Sequence, residues 1–291
     1  MNKTNYLIQG SLVELDFNDK WPSSAIVGQS ESVPVNKNRK YRFQWWPADT
    51  EEKYDMHVRK GKIDKPSGLK ISSYKKDDFY YDVNANGFRC DDFDTIDFTK
   101  KSVIYLGCSH TFGIGLPEEH CWPLITHKVL NTTETYNYIN LSVAGGSVDW
   151  YLLFLPFFKK FNPALIISAN PFTERMIMID DFNENEKILR DIVPSDAKDK
   201  LNKNFNNVNI SKAYYYLLRF QPDYFEYRRK VIFANIESVA KSLNAKFISI
   251  DSEVVAKQHF QNSRLARDLS HFSKEHHEVI SSIVLNKIKE N

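Results

Sequence analysis

Cysteine is scarce: the 291 residues hold only Cys90, Cys108 and Cys121. An odd, irregularly spaced set cannot build a disulfide framework and falls short of a four-cysteine zinc site. The expected setting is a reducing compartment. Charge of one sign is also missing, with 39 Lys and Arg against 37 Asp and Glu and a formal net charge of +2. That balance supplies no bulk attraction for nucleic acid or a membrane surface, so neither is expected as a partner. Long apolar runs are absent too. The best candidate, around Tyr151 to Phe158, is followed at once by Lys159 and Lys160, and a membrane helix needs roughly 20 apolar residues. The start, MNKTNYLIQGSLVELDF, lacks the charged head, apolar middle and small-residue cleavage site of a signal peptide. The expectation is a cytoplasmic protein, with release by lysis or incorporation in a particle left open. There are no internal repeats. His110, His120 and His127 do not form a metal-ligand set, and no metal or cofactor is expected.

What is present has an ordinary globular balance, 42% hydrophobic and 26% charged. Two textures divide the chain. Residues 1–98 are rich in aromatics, Asp, Lys and turn formers. Short β-like pieces at Tyr6–Leu15, Tyr41–Trp46 and Phe79–Val83 are separated by turn signals such as Pro66-Ser67-Gly68 and Asn84-Ala85-Asn86-Gly87. This region reads as an irregular, β-rich extension. The pair Trp45-Trp46 fits an aromatic anchor packed onto the main domain, with a sugar-stacking platform as the rival role.

From residue 99 to 291 strands alternate with helices. The pattern predicts strands at Ser102–Leu106, Tyr138–Val143, Ala164–Ser168 and Ala245–Ile250. It predicts helices at Glu118–Leu130, Val148–Phe161, Phe225–Leu243 and Lys274–Lys289. Such alternation implies an α/β fold with a parallel sheet covered on both faces. Residues 171–224 interrupt the rhythm and read as a partly helical insertion, with a lid or a plain solvated excursion as its two roles.

The polar residues with chemical potential fall just beyond the predicted strands, where parallel sheets bind ligands. Ser109 follows the first strand, Asn140 and Gly145 span the end of the second, and Asn170 follows the third. Asp268 and His271 follow the fourth. A serine hydroxyl becomes a nucleophile when a base takes its proton. His271 suits that role, with Asp268 spaced to orient the imidazole. The backbone N–H groups of Ser109 and Gly145 and the Asn170 amide suit an oxyanion hole. Ser109 as a plain helix N-cap, Asn170-Pro171 as a turn and Asp268 as a helix cap are the structural alternatives.

These residues resemble the blocks of the SGNH hydrolases, also called GDSL esterases. That family's first block, Gly-Asp-Ser-x-Thr-x-Gly, corresponds to Gly107-Cys108-Ser109-His110-Thr111-Phe112-Gly113. Its second block corresponds to Asn140 and Gly145, its third to Ser168-Ala169-Asn170-Pro171, and its last, Asp-x-x-His, to Asp268-Leu269-Ser270-His271. The stretch Val83 to Arg89 is similar to a lead-in found before the nucleophile in a subset of the family. The resemblance implies a flavodoxin-like three-layer α/β/α sandwich, a triad of Ser109, His271 and Asp268, and an oxyanion hole of Ser109, Gly145 and Asn170. It implies hydrolysis of a carboxylic ester through an acyl-enzyme, a short O-acyl group on a carbohydrate being one such substrate. An acyltransferase and a non-catalytic carbohydrate-binding or structural module are the alternatives. Three positions depart from the pattern: Cys108 for the aspartate, the altered third block, and Phe272 after the histidine. Cys108 reads as a buried small residue, with a thiolate nucleophile as its rival role. Asp251 is a rival acid, Glu174 and Arg175 are candidates to face the site, and His276 and His277 are expected on the surface.

Overall fold

The computed structural model describes residues 4–8, 11–15, 21–22, 38–46, 49–60, 74–170, 174–183, 186–192, 217, 221–251, 255, 265–268 and 270–290. In chain order the strands are β1 (Thr4–Ile8), β2 (Ser11–Leu15), β3 (Tyr41–Phe43), β4 (Tyr81–Val83) and β5 (Ser102–Leu106). They continue with β6 (Asn137–Asn140), β7 (Pro163–Ala169), β8 (Met176–Asn183), β9 (Glu186–Ile192) and β10 (Lys246–Ile250). The α-helices are α1 (Glu51–Arg59), α2 (Ser109–Phe112), α3 (Trp122–Leu130), α4 (Asp149–Phe154), α5 (Pro222–Ser242) and α6 (Lys274–Glu290).

The central sheet runs β6-β5-β7-β10, all parallel. Counted along the chain this is the order 2-1-3-4 of a flavodoxin-like sheet, and its direction of winding reverses between β5 and β7. Alternation along β5 divides the core. Ile104 and Leu106 join α4 and α5 residues such as Trp150, Phe154, Ile232 and Ile236 on one face. Val103 and Tyr105 join Trp122 of α3 and Ile280 and Val284 of α6 on the other. Successive side chains of a strand point to opposite faces, so one apolar strand feeds both layers. The result is the three-layer α/β/α sandwich expected from the sequence.

Local chemistry trims several predicted elements. The second strand stops at Asn140, whose Oδ1 accepts hydrogen bonds from the Ser142 N–H (3.1 Å) and hydroxyl (2.6 Å) and turns the chain. The predicted helix Val148–Phe161 is α only through Phe154 and continues as a 3₁₀ segment, Leu155–Phe161. Pro156 lies at that change and has no N–H to donate. The predicted helix from Glu118 is a 3₁₀ turn followed by α3, whose first turn holds Pro123.

Two elements differ in kind. Within 171–224 the described residues hold an antiparallel hairpin, β8–β9, beside a helical part at Leu217 and the first residues of α5. The β8–β9 hairpin pairs with the N-terminal hairpin in a second sheet ordered β2-β1-β9-β8. The Asn-rich run and the Tyr214–Tyr216 stretch lie outside the described residues. Helix α1 breaks the β-rich texture of the extension. Thr50 caps it by accepting from the Lys53 N–H (3.3 Å), Glu51 and Glu52 sit in its first turn and His57 and Arg59 in its last, which suits the helix dipole. It has no fully buried residue, so the periodicity that would announce it is missing.

The β3–β4 pair and its flanking loops lie against the sandwich. Trp46, Phe79, Tyr81 and Val83 form one cluster with Phe112, Ile114 and Ala144. Trp46 is buried, its ring centroid 4.5 Å from that of Phe112, and Trp45 covers the Arg267 guanidinium at 4.4 Å. Both are anchors.

His276 and His277 are buried, contrary to the surface placement expected of them. The reason is the packing of α6 on α3. His277 Nδ1 accepts the Trp122 N–H (2.9 Å), one of the unpaired amides at the start of α3. His276 Nδ1 lies 2.9 Å from the Ser273 hydroxyl.

Candidate active site

Strand β5 delivers its chain to the switch point and stops at Leu106. Gly107 follows, and the side chain of Thr111 folds back over it: a Cβ there would lie 1.8 Å from Thr111 Oγ1. Only glycine allows helix α2 to turn so closely onto the strand end. Ser109 is the first residue of α2, so its N–H belongs to the first-turn amides that have no intrahelical acceptor. The Thr111 and Phe112 N–H groups close the turn on the Cys108 carbonyl, each at 2.9 Å. Ser109 is 4% exposed. Among the described residues its Oγ has one polar contact, Cys108 Sγ at 4.0 Å. Cys108 itself is buried.

The loop before α6 carries the Asp-x-x-His block. A bridge between Leu265 and Phe272 and a bond from the Ala266 N–H to the His271 carbonyl (3.1 Å) pinch it closed. Asp268 Oδ1 accepts the backbone N–H groups of Ser270 and His271, both at 3.1 Å, and Oδ2 lies 2.5 Å from His271 Nδ1. Burial opposes the charge on Asp268, but the hydrogen bond and charge of His271 and the two amides outweigh it. The carboxyl is held below its ordinary value. An ionised Asp268 can only accept, so Nδ1 of His271 carries the proton and Nε2 is left as the basic nitrogen.

His110 connects the two loops. It follows Ser109 in α2, its ring centroid lies 5.0 Å from that of His271, and it stacks on Phe272 at 3.9 Å. Burial, then the neighbouring His271, His277, Arg175 and His276, push its pKa well below the ordinary range, so it is a neutral packing residue. Phe272, where the SGNH pattern often has proline, thus supplies a surface for His110. Ser109 and His271 share no hydrogen bond; their neighbourhood is defined by His110.

The other strand ends supply the remaining candidates. Gly145 has φ +81° within a turn closed by the Gly146 N–H on the Val143 carbonyl (2.9 Å), a position at which side chains other than glycine are strained. That turn is tied to the Ser109 segment, because the Val143 N–H donates to the Gly107 carbonyl (3.1 Å). Asn170 is buried, its Oδ1 accepting the Ser168 (3.1 Å) and Ser249 (3.2 Å) hydroxyls and its N–H donating to the Ile250 carbonyl (3.0 Å). These bonds fix which way the amide faces. Pro171 lies outside the described residues. The rival acid Asp251 forms an ion pair with Arg229 at 3.3 Å. Cys90 and Cys121 are buried thiols, both pushed up to about 12 chiefly by burial. Among the described residues, no three His, Cys, Asp or Glu side chains gather as a metal site.

No protein-family model matches the chain, and no curated protein matches it. Solved structures do. The psychrotrophic esterase EstA from Pseudoalteromonas sp. shares 14% identity at TM-score 0.32, over 66% of this chain and 100% of that one. An acetyl xylan esterase from Geobacillus stearothermophilus shares 12% at TM-score 0.34, over 65% and 94%. A lipolytic G-D-S-L family member from Veillonella parvula shares 13% at TM-score 0.32, over 64% and 97%. Two of these are named as esterases and the third as a member of the lipolytic G-D-S-L family.

Three residues around the SGNH-like blocks were not singled out from the sequence: Asp49, Tyr81 and Arg267. Arg267 is fully buried and its guanidinium donates to Asp49, at 2.6 Å for the shortest contact, and to the carbonyls of Gln44 and Lys76. An arginine in a loop beside an Asp-x-x-His block gives no local sign of burial. Its partner lies more than 200 positions away, at Asp49.

Proposed function

We propose that the chain hydrolyses carboxylic esters, with Ser109 as nucleophile, His271 as base and Asp268 as the group that orients the imidazole and stabilises its protonated form. One observation carries this reading. The Asp268–His271 pair, at 2.5 Å, stands beside the helix that begins with Ser109, at the switch point of a parallel sheet. Substrate binding would bring His271 Nε2 onto Ser109 Oγ, a contact that commonly tightens only in the complex. Ser109 Oγ then attacks the acyl carbon while its proton passes to Nε2. The Ser109 and Gly145 N–H groups and the Asn170 amide receive the negative charge of the tetrahedral intermediate. The alcohol leaves with the proton held on Nε2, and water repeats the sequence to free the acid. A short acyl group, such as acetyl, is the class we propose. A carbohydrate alcohol is tested alongside it, since the aromatic pair that suggested sugar stacking is occupied as an anchor.

The test compares wild type with Ser109→Ala on p-nitrophenyl acetate and on acetylated glycans, with a fluorophosphonate probe for the nucleophile. Loss of the serine should lower kcat/KM roughly a thousandfold or more and abolish labelling. Equal rates in the two folded proteins would remove Ser109 from the chemistry. Faster turnover on adding an acceptor glycan would mark a transferase in place of a hydrolase.

A further inference from the structure

A closed circuit of buried hydrogen bonds joins the two loops of the candidate site through the N-terminal region. The Arg267 N–H donates to the Gly115 carbonyl at 2.9 Å, so the residue before Asp268 is fastened to the loop that follows the Ser109 helix. The Gly115 N–H in turn donates to the Tyr81 hydroxyl at 2.7 Å. That hydroxyl donates to Asp49 Oδ2 at 2.5 Å. Asp49 closes the circuit by accepting the Arg267 guanidinium at 2.6 Å and 3.0 Å. Asp49, Tyr81 and Arg267 are each 1% exposed or less. The guanidinium is further held between aromatic rings, with Phe79 at 4.0 Å and Trp45 at 4.4 Å.

Such a network is high in stakes. In a low dielectric each bond strengthens, and an orphaned member is costly. Stability alone does not require it to terminate on Gly115 and on the neighbour of Asp268. Its two ends are the two loops whose spacing sets the distance between Ser109 and His271. A displacement of about 1 Å between reacting groups can lower a rate by roughly a hundredfold.

We infer that Asp49 and Tyr81 are positioning residues: the N-terminal region sets the Asp268–His271 loop against the Ser109 helix through Arg267 and Gly115. The inference rests on the reading of Ser109 and His271 as reacting partners. Neither Asp49 nor Tyr81 touches the reacting atoms. Their effect should therefore fall on kcat and on the state of His271, with substrate affinity spared.

The experiment uses Tyr81→Phe in the full chain. The substitution keeps the ring and its packing and deletes only the hydroxyl in the middle of the circuit. Expected are a fall in kcat of roughly ten- to a hundredfold, a KM within roughly twofold of wild type, and a changed resonance of the His271 Nδ1 proton by NMR. Asp49→Asn should act in the same direction, and if it fails to fold, Tyr81→Phe decides alone. A folded Tyr81→Phe protein with wild-type kcat and an unmoved His271 resonance overturns the inference, even if its melting temperature drops. The proton resonance is read without substrate. If Ser109→Ala leaves the activity intact, the esterase reading falls, and the resonance still decides whether Tyr81 positions His271.

Discussion

The sandwich and the N-terminal region are held by different kinds of interaction. Around β5 and β7, stability comes from apolar side chains on both faces of a sheet, such as Ile104, Ile166 and Trp150. Burial of this kind has no preferred direction and is shared among many partners. Among the described residues, the N-terminal region adds to the short β3–β4 ladder and the small Trp46–Phe79–Tyr81–Val83 cluster a few directional contacts. Asp49 pairs with Arg267, and Arg89 spans the loop after Ser109 by donating to the carbonyls of Phe112 (3.0 Å), Gly113 (2.8 Å) and Leu116 (2.8 Å). A shared apolar core loses stability by degrees, whereas a buried polar node fails as a unit. That difference explains how an irregular segment can be placed accurately against a candidate site without a large core of its own.

The largest effect should come from breaking the node. Asp49→Ala leaves a buried guanidinium with no carboxylate, and loss of one partner of a buried pair costs about 3–5 kcal/mol. Ile104→Val in the sandwich removes one methylene and should cost about 0.5–1.5 kcal/mol. Denaturant unfolding of the two variants measures both. Replacing the pair together, as Asp49→Leu with Arg267→Met, should be milder than Asp49→Ala alone, because no buried charge is then stranded. A cost for Asp49→Ala no greater than that of Ile104→Val would mean that the N-terminal region is held by its aromatic packing, and the contrast would disappear.

Buried histidines make the sandwich sensitive to acid, His277 the most clearly. His277 sits between α3 and α6, where burial lowers its pKa to about 3, and its Nδ1 must stay unprotonated to accept the Trp122 N–H. The unfolded chain protonates this residue near pH 6.5, while the folded chain resists down to about 3. Its full contribution therefore holds above pH 6.5 and is lost progressively as pH falls between those values. At pH 5 the loss is about 2 kcal/mol, at 1.36 kcal/mol per unit. His127, lowered to about 4 mainly by burial, acts in the same direction. Asp268, lowered below its ordinary value, adds its own loss only further into acid, below the usual carboxylate range. His277→Gln keeps an acceptor for Trp122 and should flatten the stability curve between pH 6.5 and 5. An unchanged curve would place the acid sensitivity elsewhere.

What the sequence discloses follows the same division. The strands of the sandwich are short apolar runs ended by turn residues, so β5, β7 and β10 are legible to within a residue or two, and with them the edge that carries Ser109, Asn170 and the Asp268–His271 block. Where a single side chain ends an element, as Asn140 and Pro156 do, only the boundary moves. The β8–β9 hairpin was not legible because its pairing with β1 spans most of the chain and its charged run looks like a solvated face. His277 was misplaced because its reason for burial, the open amide of Trp122, belongs to another helix. Asp49, Tyr81 and Arg267 were invisible for the same reason: each is an unremarkable residue in its own segment, and only tertiary contact gives it a partner.

The smallest effect tests where the N-terminal node ends. Helix α1 starts two residues after Asp49, carries no fully buried side chain, and is begun by the Thr50 hydroxyl accepting from the Lys53 N–H. Removing such a cap costs about 1 kcal/mol, a roughly fivefold rise in local opening. If α1 opens on its own, Thr50→Ala should quicken amide exchange across residues 51–59 by about that factor. It should leave the melting temperature and the exchange of β5 and β7 unchanged. If Thr50→Ala instead lowers the melting temperature and speeds exchange throughout, α1 is folded together with the Asp49–Arg267 pair. The polar node would then extend one element further, and the helix that looks peripheral would become part of what holds the two loops of the site together.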